Sequence, residues 1–113
     1  MQEVAETNVK TMGDISPDLK KVEDYYLASI NLELSKVKVT EDNKEIFDGY
    51  INRLQELQAE YNNLNVELTQ NGPNPLTIDA LINNLKLRLN LLLDLQEQLK
   101  LIGDPEGIDQ TSI

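Results

Sequence analysis

The feature that most constrains the fold is a long apolar pattern in the centre of the sequence, with steps that alternate between three and four residues. This spacing places the side chains on one stripe of an α-helix, as in a coiled-coil seam. The members of the pattern are Phe47, Tyr50, Leu54, Leu57, Tyr61, Leu64 and Leu68. A helix over residues 41–70 is therefore predicted, and at about 1.5 Å per residue it would be roughly 45 Å long.

A second amphipathic helix is predicted before it, over residues 17–38. Ser16 can act as its N-cap, and Pro17 fits the first helical position, where a missing N–H costs little. Thr40 is predicted to cap the central helix in the same way. The predicted buried stripe of the earlier helix is Leu19, Val22, Tyr26, Ile30, Leu34 and Val37.

The third predicted helix spans residues 75–102, between the breakers that follow Asn71 and the glycine at Gly103. It carries two overlapping apolar seams, which give it a face wide enough to meet two other helices. One seam contains Ile78, Leu81, Leu85, Leu92, Leu95, Leu99 and Ile102, with Arg88 as its only polar member. The other seam contains Ile82, Leu85, Leu89, Leu92 and Leu99.

These helices predict an all-α fold, in which residues 16–103 form an antiparallel up-down-up three-helix bundle with long coiled-coil-like helices. The links around residues 39 and 73 are too short for crossovers. Residues 1–15 are expected to be a flexible tether and residues 104–113 a loose tail. The predicted core comprises Leu19, Val22, Tyr26, Ile30, Leu34, Tyr50, Leu54, Leu57, Tyr61, Leu64, Leu68, Ile78, Ile82, Leu85, Leu89, Leu92 and Leu99.

The composition argues against most kinds of chemistry. The chain has no His and no Cys, so the commonest nucleophile and acid–base arrangements and the usual zinc ligands are missing. We expect no catalytic residues, no metal site and no cofactor. Twenty acidic residues against ten basic ones give a net charge of −10, which disfavours binding to nucleic acid or to anionic lipid. We also expect that none of these residues inserts into a bilayer.

Two features could instead mark a contact with another molecule. The third helix has more apolar residues than a three-helix bundle requires, among them Leu87, Leu91, Leu93 and Leu101. Either that helix is nearly enclosed, or these residues form a homodimer or partner surface. The adjacent Tyr25 and Tyr26 could line a small pocket, but one core residue beside one half-buried residue is the expected arrangement.

Several motifs resemble a known family. They are the Ser16-Pro17 pair, the aromatic pair Tyr25-Tyr26, the seam from Leu54 to Leu68, the hinge at Gly72 and the seams from Ile78 to Leu99. In this order, over about residues 15–102, they resemble the extracytoplasmic region of short single-pass membrane proteins of Gram-negative bacteria that are encoded beside sigma factors and regarded as anti-sigma factors.

The resemblance implies a regulatory protein of transcription, with a cytoplasmic segment and a membrane helix before the helical region. This sequence contains neither, so it would correspond to the periplasmic part, held to a preceding membrane helix through residues 1–15. The expected function is a non-catalytic interaction domain on the periplasmic face of the inner membrane. The alternative is a stand-alone structural or chaperone-like helical protein, cytoplasmic, that self-associates through the third helix.

Overall fold

The computed structural model describes residues 10–103, which form four α-helices and no strand. The helices are α1 (Met12–Ile15), α2 (Pro17–Ser35), α3 (Lys44–Asn71) and α4 (Pro75–Gly103). The predicted all-helical class is confirmed for this part of the chain. The molecule is elongated, with dimensions of 59 × 27 × 22 Å, because α3 and α4 lie along its length.

Helix α2 begins as predicted and ends earlier than predicted. Ser16 Oγ accepts a hydrogen bond of 3.1 Å from the backbone N–H of Leu19, and Pro17 occupies the first turn. The helix stops at Ser35 instead of residue 38. Directly after Ser35, the backbone N–H of Lys36 bonds to the carbonyl of Glu33 in a tighter turn. The residues after Ser35 therefore belong to the link between α2 and α3.

The start of α3 differs from the prediction. The helix begins at Lys44 instead of residue 41, and Asn43, not Thr40, occupies the N-cap position. Thr40 and Asn43 bond to each other: Asn43 Oδ1 accepts from the Thr40 N–H at 2.8 Å, and Thr40 Oγ1 accepts from the Asn43 N–H at 3.3 Å. The side chain of Thr40, which the sequence predicted as the helix cap, is used instead within this turn. The helix therefore begins after the turn, at Lys44.

The junction between α3 and α4 follows the sequence signals closely. Gly72 has a φ of +80°, a backbone conformation that side chains with a β-carbon rarely adopt, and its N–H bonds to the carbonyl of Leu68. Asn74 then caps α4, since its Oδ1 accepts from the N–H groups of Leu76 and Thr77 at 2.8 and 3.3 Å. Two helices of 28 and 29 residues are thereby joined by three residues.

Helix α4 packs against both α2 and α3. Its residues Leu81, Leu85, Leu92 and Leu95 have no exposed surface, and they form the middle of the apolar core together with Tyr61 and Leu68 of α3. Burial of this kind contributes about 1.5–3 kcal/mol for each large apolar side chain. The two overlapping seams of α4 are the reason that it can contact two helices at once.

Most residues predicted for the core are buried or half-buried. The buried ones are Ile30, Leu57, Tyr61, Leu68, Leu85 and Leu92. The half-buried ones are Leu19, Val22, Tyr26, Tyr50, Leu54, Leu64, Ile78, Ile82, Leu89 and Leu99. Leu34 is a correction, because 40% of it is exposed: it lies in the last turn of α2, which ends three residues before the predicted boundary.

The segment before α2 departs from the tether that the sequence suggested. Residues 12–15 form the helical turn α1, in which the Asp14 carboxylate accepts a 3.0 Å hydrogen bond from the backbone N–H of Thr11. Met12 has no exposed surface and belongs to the core. The remainder of the predicted tether, residues 1–9, and the predicted tail, residues 104–113, lie outside the described residues.

Candidate functional site

The most unusual feature of the interior is a set of polar side chains from all three long helices. We name as the buried polar cluster Glu23 of α2, Tyr61 of α3, and Asn84 and Arg88 of α4; Gln58 of α3 is exposed and borders the cluster through its hydrogen bond from Arg88. Glu23, Tyr61, Asn84 and Arg88 are each between 3% and 7% exposed. Buried charges are costly unless other groups compensate them, so the surroundings of Glu23 and Arg88 define what this cluster can do.

Tyr61 lies between the two charges. Its hydroxyl donates a 2.9 Å hydrogen bond to Glu23 Oε2, and the Arg88 guanidinium carbon lies 5.3 Å from the centre of its ring. The hydroxyl thus stabilises the anion, while the ring stabilises the cation through a cation–π contact. One aromatic side chain therefore connects two oppositely charged groups that belong to different helices.

The Arg88 guanidinium makes its hydrogen bonds with two neutral amides. Its Nη2 donates to Gln58 Oε1 at 2.5 Å, and its Nη1 donates to Asn84 Oδ1 at 3.4 Å. The amide of Asn84 in turn donates to the carbonyl of Leu57 at 2.8 Å. Burial lowers the pKa of Arg88, but an arginine stays protonated in proteins, so the site holds a full positive charge.

The electrostatics favour a cluster that keeps its protons. Burial, followed by the hydrogen bond to Glu23, raises the pKa of Tyr61 well above its usual range. Tyr61 therefore stays protonated at neutral pH and donates its hydroxyl proton to Glu23. An acid–base catalyst needs a pKa near the working pH, so this arrangement suits the joining of helices better than proton transfer.

The segment before α2 closes over this cluster. Thr11 Oγ1 donates to Glu23 Oε1 at 3.3 Å, and the backbone N–H of Lys10 donates to Thr69 Oγ1 of α3 at 2.7 Å. A β-carbon added to Gly13 would lie 2.6 Å from Glu23 Oε1, so only glycine permits this approach without displacement. We name residues 10–15 the N-terminal latch.

One buried polar atom beside the latch has no hydrogen-bond partner. Asn65, one helical turn after Tyr61, is 6% exposed, and its Oδ1 is unpaired among the described residues. The backbone carbonyl of Asn65 accepts a 2.8 Å hydrogen bond from Thr69 Oγ1, the same hydroxyl that accepts from Lys10. The latch is therefore held by polar contacts on α3 as well as by the burial of Met12 in the apolar core.

The four leucines predicted for a partner surface do not form one patch. Leu87, Leu93 and Leu101 are 50%, 46% and 69% exposed, whereas Leu91 is half-buried. At about 100° per residue, Leu91 and Leu93 point to nearly opposite sides of α4. Leu91 faces α3, and Leu93 lies on the outer surface of α4.

Leu91 lines a shallow apolar groove between α3 and α4. The groove has a volume of about 350 Å³, and we name its lining the groove face: Glu45, Ile46, Gly49, Tyr50, Arg53 and Leu91. At its edge the Tyr50 hydroxyl donates a 2.6 Å hydrogen bond to Asp94, which raises the pKa of Tyr50. This bond fixes the tyrosine ring, so the groove is formed before anything binds to it.

The two adjacent tyrosines are more exposed than the expected pair of one core residue and one half-buried residue. Tyr25 is 62% exposed, while Tyr26 is half-buried and packs against the core. Their rings meet edge to face, with centres 5.1 Å apart. Two turns further along α2, Glu33 accepts a 2.6 Å hydrogen bond from Gln96 of α4, which lowers the pKa of the Glu33 carboxyl.

Sequence reasoning missed the buried polar cluster almost completely. Arg88 was visible as the single polar member of an apolar seam, which is a usable signal for a buried charge. Glu23 gave no such signal, because its partner Tyr61 is 38 residues away in the sequence. The latch could have been found from Thr11-x-x-Asp14, a spacing typical of a helix N-terminus.

Other observations bear on the class of protein. Within residues 10–103, no helix combines the length and the apolar character that a membrane span requires. The same residues contain no group of three or more potential metal ligands. Comparison with known proteins finds no family model that matches the chain, no similar curated protein and no similar solved structure.

Proposed function

We propose that this chain is a non-catalytic regulatory domain in which the docking of the N-terminal latch reports the state of the helices. The observation that carries the proposal is the closure of residues 10–15 over the buried pair of Glu23 and Tyr61. Thr11, Glu23 and Tyr61 form one continuous line of hydrogen bonds from the latch through α2 to α3. A change in helix packing would therefore change how firmly the latch is held.

The proposed architecture is an up-down-up bundle of α2, α3 and α4. Its support comes from the order of the hydrogen bonds between helices. Tyr50 of α3 bonds to Asp94 of α4, whereas Leu57, further along α3, bonds to the earlier Asn84. This reversed order is what antiparallel neighbours produce. Glu33, near the end of α2, bonds to Gln96 in the later part of α4, as parallel neighbours would.

As the biological setting, we propose the periplasmic part of an anti-sigma-factor-like membrane protein. The support is the resemblance in Ser16-Pro17, Tyr25-Tyr26 and the hinge at Gly72. In that setting a membrane helix would be joined to the bundle through residues 1–15, so the latch would be the mechanical connection. Docking and release of the latch would then transmit a periplasmic event toward the membrane.

The latch mechanism is tested by hydrogen exchange on Gly13→Ala. The added methyl group would collide with Glu23, so we expect exchange at residues 10–15 to accelerate by about tenfold or more, equivalent to about 1.4 kcal/mol, while the centres of α3 and α4 stay protected. Gly49→Ala, measured at a protein concentration low enough to keep the chain monomeric, is the control, because a β-carbon there meets nothing within 4 Å in the protomer. Unchanged exchange in the Gly13→Ala latch would contradict the mechanism.

The biological setting is tested in the cells that make the protein. We expect a membrane-bound product longer than this chain, and we expect a sigma factor to be recovered with it after mild solubilisation. The assay is the intact mass of the native protein together with membrane fractionation. A soluble product near 12.8 kDa would reject the membrane-protein setting, although the latch mechanism could still be correct.

A second candidate function is a stand-alone structural protein that self-associates through the outer surface of α4. Leu87, Leu93 and Leu101 support it, because all three are large apolar side chains with at least 46% of their surface exposed. This candidate predicts a self-association that Leu93→Ser weakens. A mass that is unaffected by Leu93→Ser at every concentration would argue against it.

A further inference from the structure

The groove face has the properties of an interface that lacks its partner. Ile46, Tyr50 and Leu91 are half-buried and give it apolar walls, while Glu45 and Arg53 lie at its borders. The exposed Leu87 lies one turn before Leu91 on α4 and extends the apolar surface. An apolar centre bordered by charged residues is the usual anatomy of a protein–protein interface.

Gly49 gives the first indication of what the partner is. It lies inside α3, where glycine destabilises a helix by about 0.5–1 kcal/mol relative to alanine. Its φ is not positive, since Gly72 is the described glycine with that conformation, and a β-carbon at Gly49 would meet nothing within 4 Å. Nothing in the protomer requires glycine there, whereas close approach of another backbone to α3 would.

The charges give the second indication. Glu45 and Arg53 lie four residues before and four residues after Gly49, on the same side of α3. If two copies of α3 cross antiparallel at Gly49, each Glu45 meets the partner's Arg53, and each Arg53 meets the partner's Glu45. A two-fold axis requires such self-complementarity, and an unrelated partner would not.

We propose that the groove face binds the groove face of a second copy, in a two-fold dimer with Gly49 of each chain at the axis. The apolar groove supplies most of the affinity, and the two reciprocal pairs of Glu45 and Arg53 fix the register. The dimer does not depend on what the domain regulates, and its centre at Gly49 of α3 lies away from Leu93 on the outer surface of α4, although Leu87 borders both surfaces.

Arg53 can make the new pair without losing its present one. Its Nη1 already contacts Glu56 at 3.1 Å, in a pair whose side chains are both more than half exposed. A guanidinium has five N–H donors, so the same group can bind Glu56 of its own chain and the partner's Glu45.

Each chain carries a net charge of −10, so the two copies repel each other. Measurements are therefore best made near 0.15 M salt, where the screening length is about 8 Å.

The test is sedimentation equilibrium from about 1 µM to about 500 µM, a range that covers the dissociation constants of weak and moderate dimers. We expect the wild-type chain to dimerise, and Glu45→Arg or Arg53→Glu alone to raise the dimer dissociation constant by about tenfold or more, since like charges then face each other. The double variant Glu45→Arg/Arg53→Glu reverses both charges, so we expect its dissociation constant to return to within about threefold of the wild-type value. Lys44→Glu, which makes the same change of charge as Arg53→Glu on another side of α3, is the matched control.

Gly49→Leu provides an independent check that does not endanger the fold. Leucine favours helix more than glycine does and its β-carbon would meet nothing within 4 Å in the protomer, so this variant should unfold at a higher temperature while failing to dimerise. A wild-type chain that stays monomeric over the whole range would overturn the proposal. The proposal would also be overturned if the charge variants and Gly49→Leu left the dimer unchanged while Leu93→Ser dissociated it. The interface would then be the outer surface of α4.

Discussion

Replacing Tyr61 with phenylalanine tests the buried polar cluster most directly. The change removes one oxygen atom and keeps the ring, so the contact with the Arg88 guanidinium at 5.3 Å is retained. It abolishes the 2.9 Å hydrogen bond to Glu23, which is 7% exposed and keeps only the weaker 3.3 Å bond from Thr11. A buried hydrogen bond to a charged group contributes about 1.5–3 kcal/mol, so we expect Tyr61→Phe to lower the free energy of unfolding by that amount.

The assay is urea unfolding at pH 7 and low protein concentration, followed by circular dichroism at 222 nm. Glu23→Gln and the double variant complete a thermodynamic cycle, in which we expect a coupling energy of about 1–2 kcal/mol between the two positions. Tyr25→Phe is the matched control, because Tyr25 is 62% exposed and its hydroxyl should contribute less than about 0.5 kcal/mol. A loss of less than about 0.5 kcal/mol in Tyr61→Phe would refute the role assigned to the cluster.

Three further predictions follow from other parts of the fold. The pKa of Tyr61 is higher in the folded state than its value of about 10 in an unfolded chain, so the stabilisation of the fold by this proton is complete below pH 10. Above pH 10 the free energy of unfolding should fall by up to about 1.4 kcal/mol per pH unit. Urea titrations from pH 9 to 11 should show a smaller fall in Tyr61→Phe. Leu57→Ala and Leu92→Ala should each lower the free energy of unfolding in urea by about 2–5 kcal/mol. Leu76→Ala, at a position that is 79% exposed, should lower it by less than about 0.5 kcal/mol. Similar losses at all three positions would mean that the core is elsewhere. Gly72→Ala should lower the free energy of unfolding by about 1 kcal/mol because its φ is +80°, and an unchanged thermal midpoint would contradict this.

The helices were predictable because their signals are local. The pairing of Ser16 with Pro17 gave the start of α2, and the glycine at position 72 gave the end of α3 to within one residue. The repeated leucines of α4 correctly indicated a helix that contacts two others. Each of these signals depends on residues only a few positions apart, which a sequence displays directly.

The candidate site was not predictable, because it depends on pairs that meet only after folding. A glutamate beside an apolar stripe is normally solvated, and only the approach of Tyr61 and Thr11 makes burial of Glu23 tolerable. The short α1 was missed because Gly13 and Asp14 look like helix breakers, although Asp14 helps to cap the turn. Leu34 was assigned to the core because its spacing was correct, but the helix ended too soon for its neighbours to cover it.

The polar contacts of Arg88 have a consequence for how the chain avoids misfolding. Leucine seams repeat every heptad, so α3 and α4 could slide past each other by seven residues and still bury leucines. Such a slip would place Gln58 opposite Leu81 or Leu95 and would leave the Arg88 guanidinium without its 2.5 Å hydrogen bond. A hydrogen bond to a charged group contributes about 1.5–3 kcal/mol, so its loss favours the native alignment over its shifted competitors. We therefore expect a leucine at position 88 to permit several alignments of α3 and α4 where arginine permits one.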